Sequence, residues 1–161
     1  MADDIDIENF SVIEEEFNNR VCKIVWCTAT TVDRKGRPRS RILHPIWEGH
    51  TGWIATGRDT LKTKHLAENH YMSLCYWDPD HKQIYVECKA EWDDDAAQKE
   101  RIWTLFKSTP PPLGYDPGII WQGHDDAAYG LLKLTPWRIE LSSIHEMSAG
   151  EAPQVWRQDV E

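Results

Sequence analysis

The alternation of hydrophobic and polar positions predicts a chain built mostly from short strands, with a few short helices between them. Phe10, Ile13 and Phe17 recur at helical spacing, which indicates an amphipathic helix over residues 8–19. Farther along, β-branched and aromatic runs end at turns rich in Gly, Pro and Asp, as in a β meander. The expected strands cover residues 21–32, 39–47, 53–56, 71–77, 83–92 and 130–142, the last bent at Pro136.

Two further helices are expected between these strands. One runs from Thr60 to Asn69, and the other follows the acidic run 93–95 and extends to about Lys107. Negative charge at the start of the second helix favours its N-terminus. Four prolines between Ser108 and Gly118 predict an irregular loop. Six antiparallel strands with a few helices indicate a mainly β (α+β) fold, a small barrel.

The most informative segment joins the strand over 53–56 to the helix that begins near Thr60. A strand that turns directly into a helix N-terminus presents backbone N–H groups and the positive end of the helix dipole to an anion. Thr60, Lys62, Thr63 and Lys64 add hydroxyl and ammonium donors there. The segment is therefore either a phosphate site or an ordinary capped helix with a solvated basic face.

The charge distribution favours a small anionic ligand over a nucleic acid. The chain of 161 residues carries a formal net charge of −9, which argues against general nucleic-acid binding. Residues 20–64 nevertheless hold ten Lys and Arg against three Asp and Glu, a local charge of +7. A cationic region of this kind can focus its field into one cleft, although a solvated, charge-rich hairpin has the same composition.

Other sequence features indicate where the protein is located and argue against a metal site. The acidic N-terminus lacks a signal-peptide pattern, and no apolar stretch is long enough to span a membrane, so we expect a cytoplasmic protein. The cysteines show no metal-ligand spacing and are expected to be buried free thiols. The seven histidines form no paired metal motif, so no metal site is expected. Nine tryptophans suit either a core or the wall of a flat ligand.

Four motifs in order make the chain resemble the FMN-binding split β-barrel family of the pyridoxamine 5′-phosphate oxidase type. The first is the hairpin return Gly-Arg-Pro-Arg-Ser-Arg-Ile at 36–42, and the second is Thr56 followed by Thr-Leu-Lys at 60–62. The third is the strand Gln-Ile-Tyr-Val-Glu-Cys-Lys-Ala-Glu at 83–91, and the fourth is Pro-Trp-Arg-Ile-Glu-Leu at 136–141. The resemblance implies a six-stranded antiparallel split β-barrel over residues 21–145, preceded by a helix or arm (1–20) and followed by a loosely held tail (146–161).

The resemblance also implies a cofactor site. The flavin and its ribityl chain would lie beside the strand that begins at Arg41, the phosphate would lie at the helix start, and one contact would come from a partner subunit of a homodimer. The implied cofactor-binding residues are Arg41, Ile42, Ala55, Thr56, Thr60, Lys62 and, from the partner, Gln83. A phosphate needs cations and hydroxyl or backbone donors, which Arg41, Thr60 and Lys62 can supply. Each of these side chains also has an ordinary surface role open to it.

Departures from the family pattern shape the expected activity. Leu61 occupies a position where the oxidases carry a second base, for which Lys64 or Arg58 is a candidate substitute, and Ile46 replaces a lysine that contacts substrate and cofactor. The C-terminal substrate motif of the oxidases is missing, so vitamin B6 oxidation is not expected. The family resemblance implies an FMN-dependent oxidoreductase that transfers hydride through flavin N5 to a small substrate. A coenzyme F-420-dependent reductase and a non-catalytic flavin carrier or sensor are the alternatives.

Overall fold

The computed structural model describes residues 4–159, which form one nine-stranded sheet with four α-helices. The strands are β1 (Ile5–Ile7), β2 (Cys27–Val32), β3 (Pro38–Leu43), β4 (Pro45–Glu48), β5 (Thr51–Gly57), β6 (Tyr71–Trp77), β7 (Lys82–Trp92), β8 (Tyr129–Ser143) and β9 (Gln154–Arg157). The helices are α1 (Glu14–Ile24), α2 (Leu61–Glu68), α3 (Ala96–Ser108) and α4 (Ile144–Ser148), with 3₁₀ turns at Phe10–Val12 and Pro117–Ile119. Within these residues, no helix is both long and apolar enough to cross a membrane.

The sheet confirms the expected mainly β (α+β) split-barrel class. Its strand order is β1-β9-β8-β7-β6-β2-β3, and β5 pairs with both β8 and β4. Eight strands belong to antiparallel pairs, while β1 pairs with β9 in parallel. The sheet has nine strands rather than the expected six for two reasons. Each end of the described chain adds one strand, and the strand expected over residues 39–47 is interrupted at His44 and forms β3 and β4. A register shift at Glu87/Cys88 of β7 accommodates Pro136 within β8, so the expected bend there is a bulge.

The N-terminal boundary between helix and strand was predicted wrongly. The expected strand began at Val21, but α1 continues through that residue to Ile24. Ile13, Phe17 and Val21 lie four residues apart and are all buried, so one face of the helix packs into the core. Val25 then adopts φ 65°, in a region that β-branched residues rarely occupy, and β2 begins two residues later.

The expectation of a loosely held C-terminal tail does not hold for residues 154–157. This segment is β9, which lies between β8 and β1 in the sheet. Val155 and Trp156 are buried, and Trp156 packs edge-on against Phe10 with ring centroids 5.3 Å apart. Arg157 forms ion pairs with Asp4 and Asp6 beside the same edge.

Two apolar clusters hold the fold together and lie on opposite faces of β5. The first fills the barrel and contains Phe17 and Ile54, and the second lies beneath α3 and the proline-rich loop and contains Trp53 and Phe106. Burying each such large side chain contributes roughly 2–3 kcal/mol relative to exposure. Because side chains alternate along a strand, β5 presents successive residues to the two clusters.

Candidate functional site

The N-terminus of α2 is left open by the side chain that would normally cap it. β5 ends at Gly57, and Thr60 takes the extended backbone conformation of a cap residue, with φ −140° and ψ 167°. Its side chain makes no capping hydrogen bond to the helix. Instead, the Thr60 hydroxyl oxygen accepts a hydrogen bond from Lys62 Nζ at 2.8 Å. The first turn of α2 therefore has no side-chain acceptor for its N–H groups, which suits an external anion.

Lys62 is a buried cation without a carboxylate partner. Lys62 is 6% exposed, and within residues 4–159 its Nζ donates hydrogen bonds to the Gly57 carbonyl oxygen, at 3.4 Å, and to the Thr60 hydroxyl. Among residues 4–159 it makes no ion pair with any Asp or Glu. Burial, and secondarily the positive charge of Arg41, lower the pKa of Lys62 to about 8. An unpaired buried charge is unfavourable, and a bound anion would offset that penalty.

Arg41 is the second cation of the site. It lies on β3, is partly buried, and donates a hydrogen bond of 3.2 Å from Nη1 to the carbonyl oxygen of Ala29. Burial lowers its pKa, and the charge of neighbouring Arg39 lowers it further. Arg41 also lacks a carboxylate partner within the part of the chain that the structure describes. Arg41 and Lys62 therefore share one electropositive region beside the Thr60 hydroxyl.

Ala55 and Thr56 point to opposite sides of β5. Thr56 faces the barrel and is buried, whereas Ala55 packs against the cluster beneath α3. Thr56 lies opposite Gly130 of β8, where only glycine fits. A Cβ atom on Gly130 would lie 2.5 Å from the Trp92 ring and 3.0 Å from the Thr56 carbonyl oxygen. Glycine at this position thus lets β5 and the Trp92 ring approach closely.

Two predicted residues lie away from the pair of cations within one chain. Ile42 is 61% exposed on β3, where its side chain alternates with that of Arg41. Gln83 lies opposite Trp77 of β6, and its Oε1 accepts hydrogen bonds from Tyr85 and Ser142, each at 3.2 Å.

The distance between Gln83 and the helix start follows from the strand register. α2 packs on β2 through His65, whose Nδ1 lies 2.9 Å from the Thr31 hydroxyl. Thr31 pairs with Met72 of β6, which is five residues from Trp77, roughly 17 Å along a strand. The structure therefore does not bring Gln83 and Lys62 of the same chain together.

Neither candidate substitute for the base missing at Leu61 lies with Lys62. Lys64 lines a cleft of about 430 Å³ between α2 and the β2–β3 turn, together with Arg34 and Lys35. Arg58 stacks on the Trp92 ring at 4.3 Å and pairs with Asp94 at 3.1 Å. The charge of Arg41 lowers the pKa of Lys62, so Arg41 rather than Lys64 or Arg58 is the second cation near Lys62.

The cysteines and histidines offer no alternative centre among the described residues. The four cysteines are free thiols; Cys27 and Cys88 are buried, but Cys22 is exposed on α1, contrary to the expected burial. No group of three or more His, Cys, Asp or Glu side chains is arranged to hold a metal ion within residues 4–159. Burial raises the pKa of Cys27 to about 12, so that thiol is inert at neutral pH.

The strand order and the helices define a split-barrel protein in which a helix terminus without a side-chain cap lies beside two cations. A family model described as pyridoxamine 5′-phosphate oxidase matches residues 13–142. The chain therefore belongs to the pyridoxamine 5′-phosphate oxidase family. No curated protein sequence matches it.

Solved structures share this fold at low sequence identity. A protein from Clostridium acetobutylicum related to general stress protein 26 of B. subtilis is 18% identical, with a TM-score of 0.71 over 92% of this chain and 96% of that one. A pyridoxamine 5′-phosphate oxidase-related, FMN-binding protein from Nostoc punctiforme is 13% identical, with a TM-score of 0.61 over 92% and 97%. An F420 reductase is 15% identical, with a TM-score of 0.56 over 76% and 94%.

Proposed function

We propose that the protein is an FMN-binding oxidoreductase whose phosphate site is formed by Arg41, Thr60 and Lys62. The observation that carries the proposal is a buried lysine and a partly buried arginine that have no carboxylate partner among the described residues, at a helix N-terminus without a side-chain cap. A nearly dianionic phosphate would neutralise both cations, accept hydrogen bonds from the open turn and replace the ordinary solvent shell. The donor set therefore fits the cofactor that the family binds.

The remaining predicted residues would orient the cofactor. When bound, the isoalloxazine supplies hydride transfer through its N5 to a small substrate. Ala55 and Thr56 follow directly before the Gly57–Thr60 turn on β5, so a cofactor held by its phosphate at Lys62 would lay its ring system along that strand. Ile42 offers backbone groups from β3. The aromatic cluster beneath α3 would exclude water from the Ala55 side.

Coenzyme F-420 is the second candidate, and one feature favours it. The cleft of about 430 Å³ beside α2 is lined by the basic residues Arg34, Lys35, Arg37 and Lys64 and by the acidic residues Asp33 and Glu68. A cofactor with a longer anionic tail could extend from Lys62 along the helix into this basic cleft. A non-catalytic flavin carrier or sensor would use the same phosphate site without turnover.

A homodimer would complete the flavin site. Within one chain Gln83 lies opposite Trp77, roughly 17 Å along β6 from Met72 at the α2 end of the sheet, and this separation supports a contact from a second copy instead. Trp26 and Ile42 are 58% and 61% exposed, and exposed apolar side chains of this size favour an association surface. Sedimentation equilibrium of the purified protein, with and without FMN, tests this arrangement; a strictly monomeric holoprotein would contradict it.

The cofactor is tested by absorbance and by one matched pair of variants. The purified protein is scanned for an FMN doublet or a single deazaflavin band, then titrated with FMN and with coenzyme F-420. Lys62→Ala is expected to weaken both cofactors, whereas Lys64→Ala on the same helix is expected to weaken only coenzyme F-420. Binding of neither cofactor would refute both enzyme assignments. Bound flavin that a nicotinamide cannot reduce would leave the carrier or sensor.

A further inference from the structure

The cleft beside α2 carries positive charge that its own residues do not neutralise. It has a volume of about 430 Å³ and lies between one face of α2 and the turn that joins β2 to β3. Four basic and two acidic residues line it, a net charge of +2. Arg37 pairs with Asp33 at 2.7 Å, whereas the other three cations make no ion pair within residues 4–159: Arg34, Lys35 and Lys64. These like charges repel one another, and an anion bound between them would relieve the repulsion.

His65 adds a hydrogen-bond donor that is fixed at the wall of this cleft. The residue is 7% exposed, and its Nδ1 lies 2.9 Å from the hydroxyl of Thr31. That hydroxyl is fully buried and has no other hydrogen-bond partner in the described part of the chain. A buried hydroxyl needs an acceptor for its proton, so Thr31 donates to Nδ1, and the neutral imidazole carries its own proton on Nε2. Nε2 is therefore an N–H donor that residues 4–159 neither pair nor enclose.

The cleft is separate from the site that we propose for the flavin phosphate. Neither Arg41 nor Lys62 lines it. Lys64, His65 and Glu68 lie three and four residues apart and so share the face of α2 that borders the cleft. Lys62 instead donates to the Gly57 carbonyl oxygen at the end of β5. The helix therefore presents different side chains to the two regions, and a ligand of the cleft need not be the ligand of Lys62.

We infer that the cleft binds a pyrophosphate group, free or as part of a nucleoside diphosphate, with His65 Nε2 as its fixed donor. A single phosphate carries roughly 1.5 to 2 negative charges, too few to neutralise three unpaired cations. Two linked phosphates carry more charge and offer more acceptor oxygens to Arg34 and Lys64. Glu68, at the C-terminal end of α2, would accept hydrogen bonds from the ribose of a nucleotide. This inference does not depend on the flavin assignment.

Calorimetric titration of the full chain, after addition of FMN, with pyrophosphate, orthophosphate and ADP tests the site. Pyrophosphate is expected to bind about tenfold more tightly than orthophosphate, because it neutralises more of the cations. His65→Asn is expected to weaken pyrophosphate about tenfold, since asparagine keeps an acceptor near Thr31 but has no donor at the position of Nε2.

The charge of the cleft is tested by a matched pair of lysine variants. Lys64→Gln is expected to weaken pyrophosphate severalfold, and less so in 1 M salt, because this lysine is exposed. Lys133→Gln removes an exposed lysine of β8 that does not line the cleft, and its affinity for pyrophosphate is expected to stay unchanged. The ADP titration distinguishes the two sources of the group. Tighter binding of ADP that is lost in Glu68→Ala identifies a nucleotide, and equal affinities identify free pyrophosphate.

Several results would overturn the inference. Equal affinities for pyrophosphate and orthophosphate, or an unchanged affinity in both His65→Asn and Lys64→Gln, would leave the cleft as a solvated charged surface. Pyrophosphate that FMN displaces, or that Lys62→Ala no longer binds, would occupy the flavin phosphate site instead. Displacement by coenzyme F-420 would assign the cleft to the tail of that cofactor. If His65→Asn does not fold, Lys64→Gln and Arg34→Gln keep the test decisive.

The FMN affinity of the same samples separates this inference from the proposed function. Normal FMN binding without pyrophosphate binding refutes only the pyrophosphate site. Pyrophosphate binding that is sensitive to His65→Asn, in a protein that does not bind FMN, refutes only the flavin assignment.

Discussion

Lys62 donates a hydrogen bond of 2.8 Å to the hydroxyl of Thr60, the residue whose side chain would ordinarily cap α2. The contact uses the cap hydroxyl as an acceptor for the ammonium group and leaves the first turn of the helix open. It also holds the ammonium group at the helix start, where a negative charge is favoured. One side-chain contact thus prepares both the backbone and the cation for the same anion.

The affinity for FMN is expected to fall as the pH rises above about 8. The lowered pKa means that Lys62 is charged below this value and loses its proton above it, so the phosphate loses one cation. The fall approaches tenfold per pH unit above the pKa of the free protein, and it ends at the higher pKa that the amine has in the complex, where bound phosphate favours the charged form. Fluorescence titration of FMN between pH 7 and 10 measures this dependence.

Lys62→Arg is the control for the pH series, because arginine keeps its charge throughout the range. Its affinity is expected to stay nearly flat where that of the wild type falls. A parallel fall in both proteins would exclude Lys62 as the titrating group. Without ligand, a rise in pH is expected to stabilise the folded protein. The buried charge of Lys62 destabilises the fold below about pH 8, and this effect is relieved toward pH 10.5, so the free energy of unfolding rises over that interval.

Leu61→Arg is expected to tighten FMN binding about fivefold at low ionic strength, since it places a third cation at the helix start. Leu61 is 44% exposed, so the longer side chain can be accommodated without disturbing the core. The gain is expected to shrink in 1 M salt because the new charge is open to solvent. Leu61→Gln is the neutral comparison, and an equal gain with glutamine would attribute the effect to something other than charge.

Arg20→Ala is expected to destabilise the protein by about 3 kcal/mol, because it removes the cation from a buried network. Arg20 Nη1 donates to the carbonyl oxygens of Gln83 and Ser142 at 2.8 and 2.7 Å, which ties α1 to β7 and β8. Lys23→Ala on the same helix is the matched control. Lys23 is exposed and pairs with Asp80 at 2.7 Å and, more distantly, with Asp78 at 3.5 Å, so its loss is expected to change stability less than the loss of Arg20. Urea denaturation compares the two, and similar losses would contradict the role of Arg20.

Trp156→Ala is expected to cost about 3–5 kcal/mol of stability, as for other large core residues. Trp156 is 5% exposed and packs against Phe10 and His50, with ring centroids 5.3 and 5.0 Å away. Trp77→Ala, at a position that is 55% exposed, is expected to change stability far less. Thermal unfolding of the two variants tests whether β9 unfolds together with the rest of the protein. Equally small losses of stability in both variants would show that β9 is not part of the cooperative unit.

Local sequence signals predicted the barrel and the helix that follows Thr60, but not the contacts that depend on distant packing. The alternation in β7 and the Gly57–Thr60 turn are visible in short windows, and the structure places strand and helix there. β9 was not predicted because it is four residues long and pairs with a strand from the opposite end of the chain. Val21 was misassigned because its β-branched side chain favours strand, whereas helical burial with Phe17 decides its conformation.

In the candidate site, too, residues that are close in sequence could be associated from the sequence, whereas contacts between distant elements could not. Thr60 and Lys62 lie within three residues, so spacing alone can associate them with a helix terminus. Arg41 was singled out through a motif, and the proximity of its charge to Lys62 emerges only when β3 and α2 are brought together.

The parallel pairing of β1 with β9 joins segments from nearly opposite ends of the chain. Ile5 lies opposite Gln154, and Ile7 lies opposite Trp156, so about 149 residues separate each pair along the chain. During synthesis the first strand is made at the start, yet its partner leaves the ribosome only after every other strand of the barrel. The edge of the sheet is therefore sealed last, and a nascent chain halted before residue 154 carries an unpaired first strand.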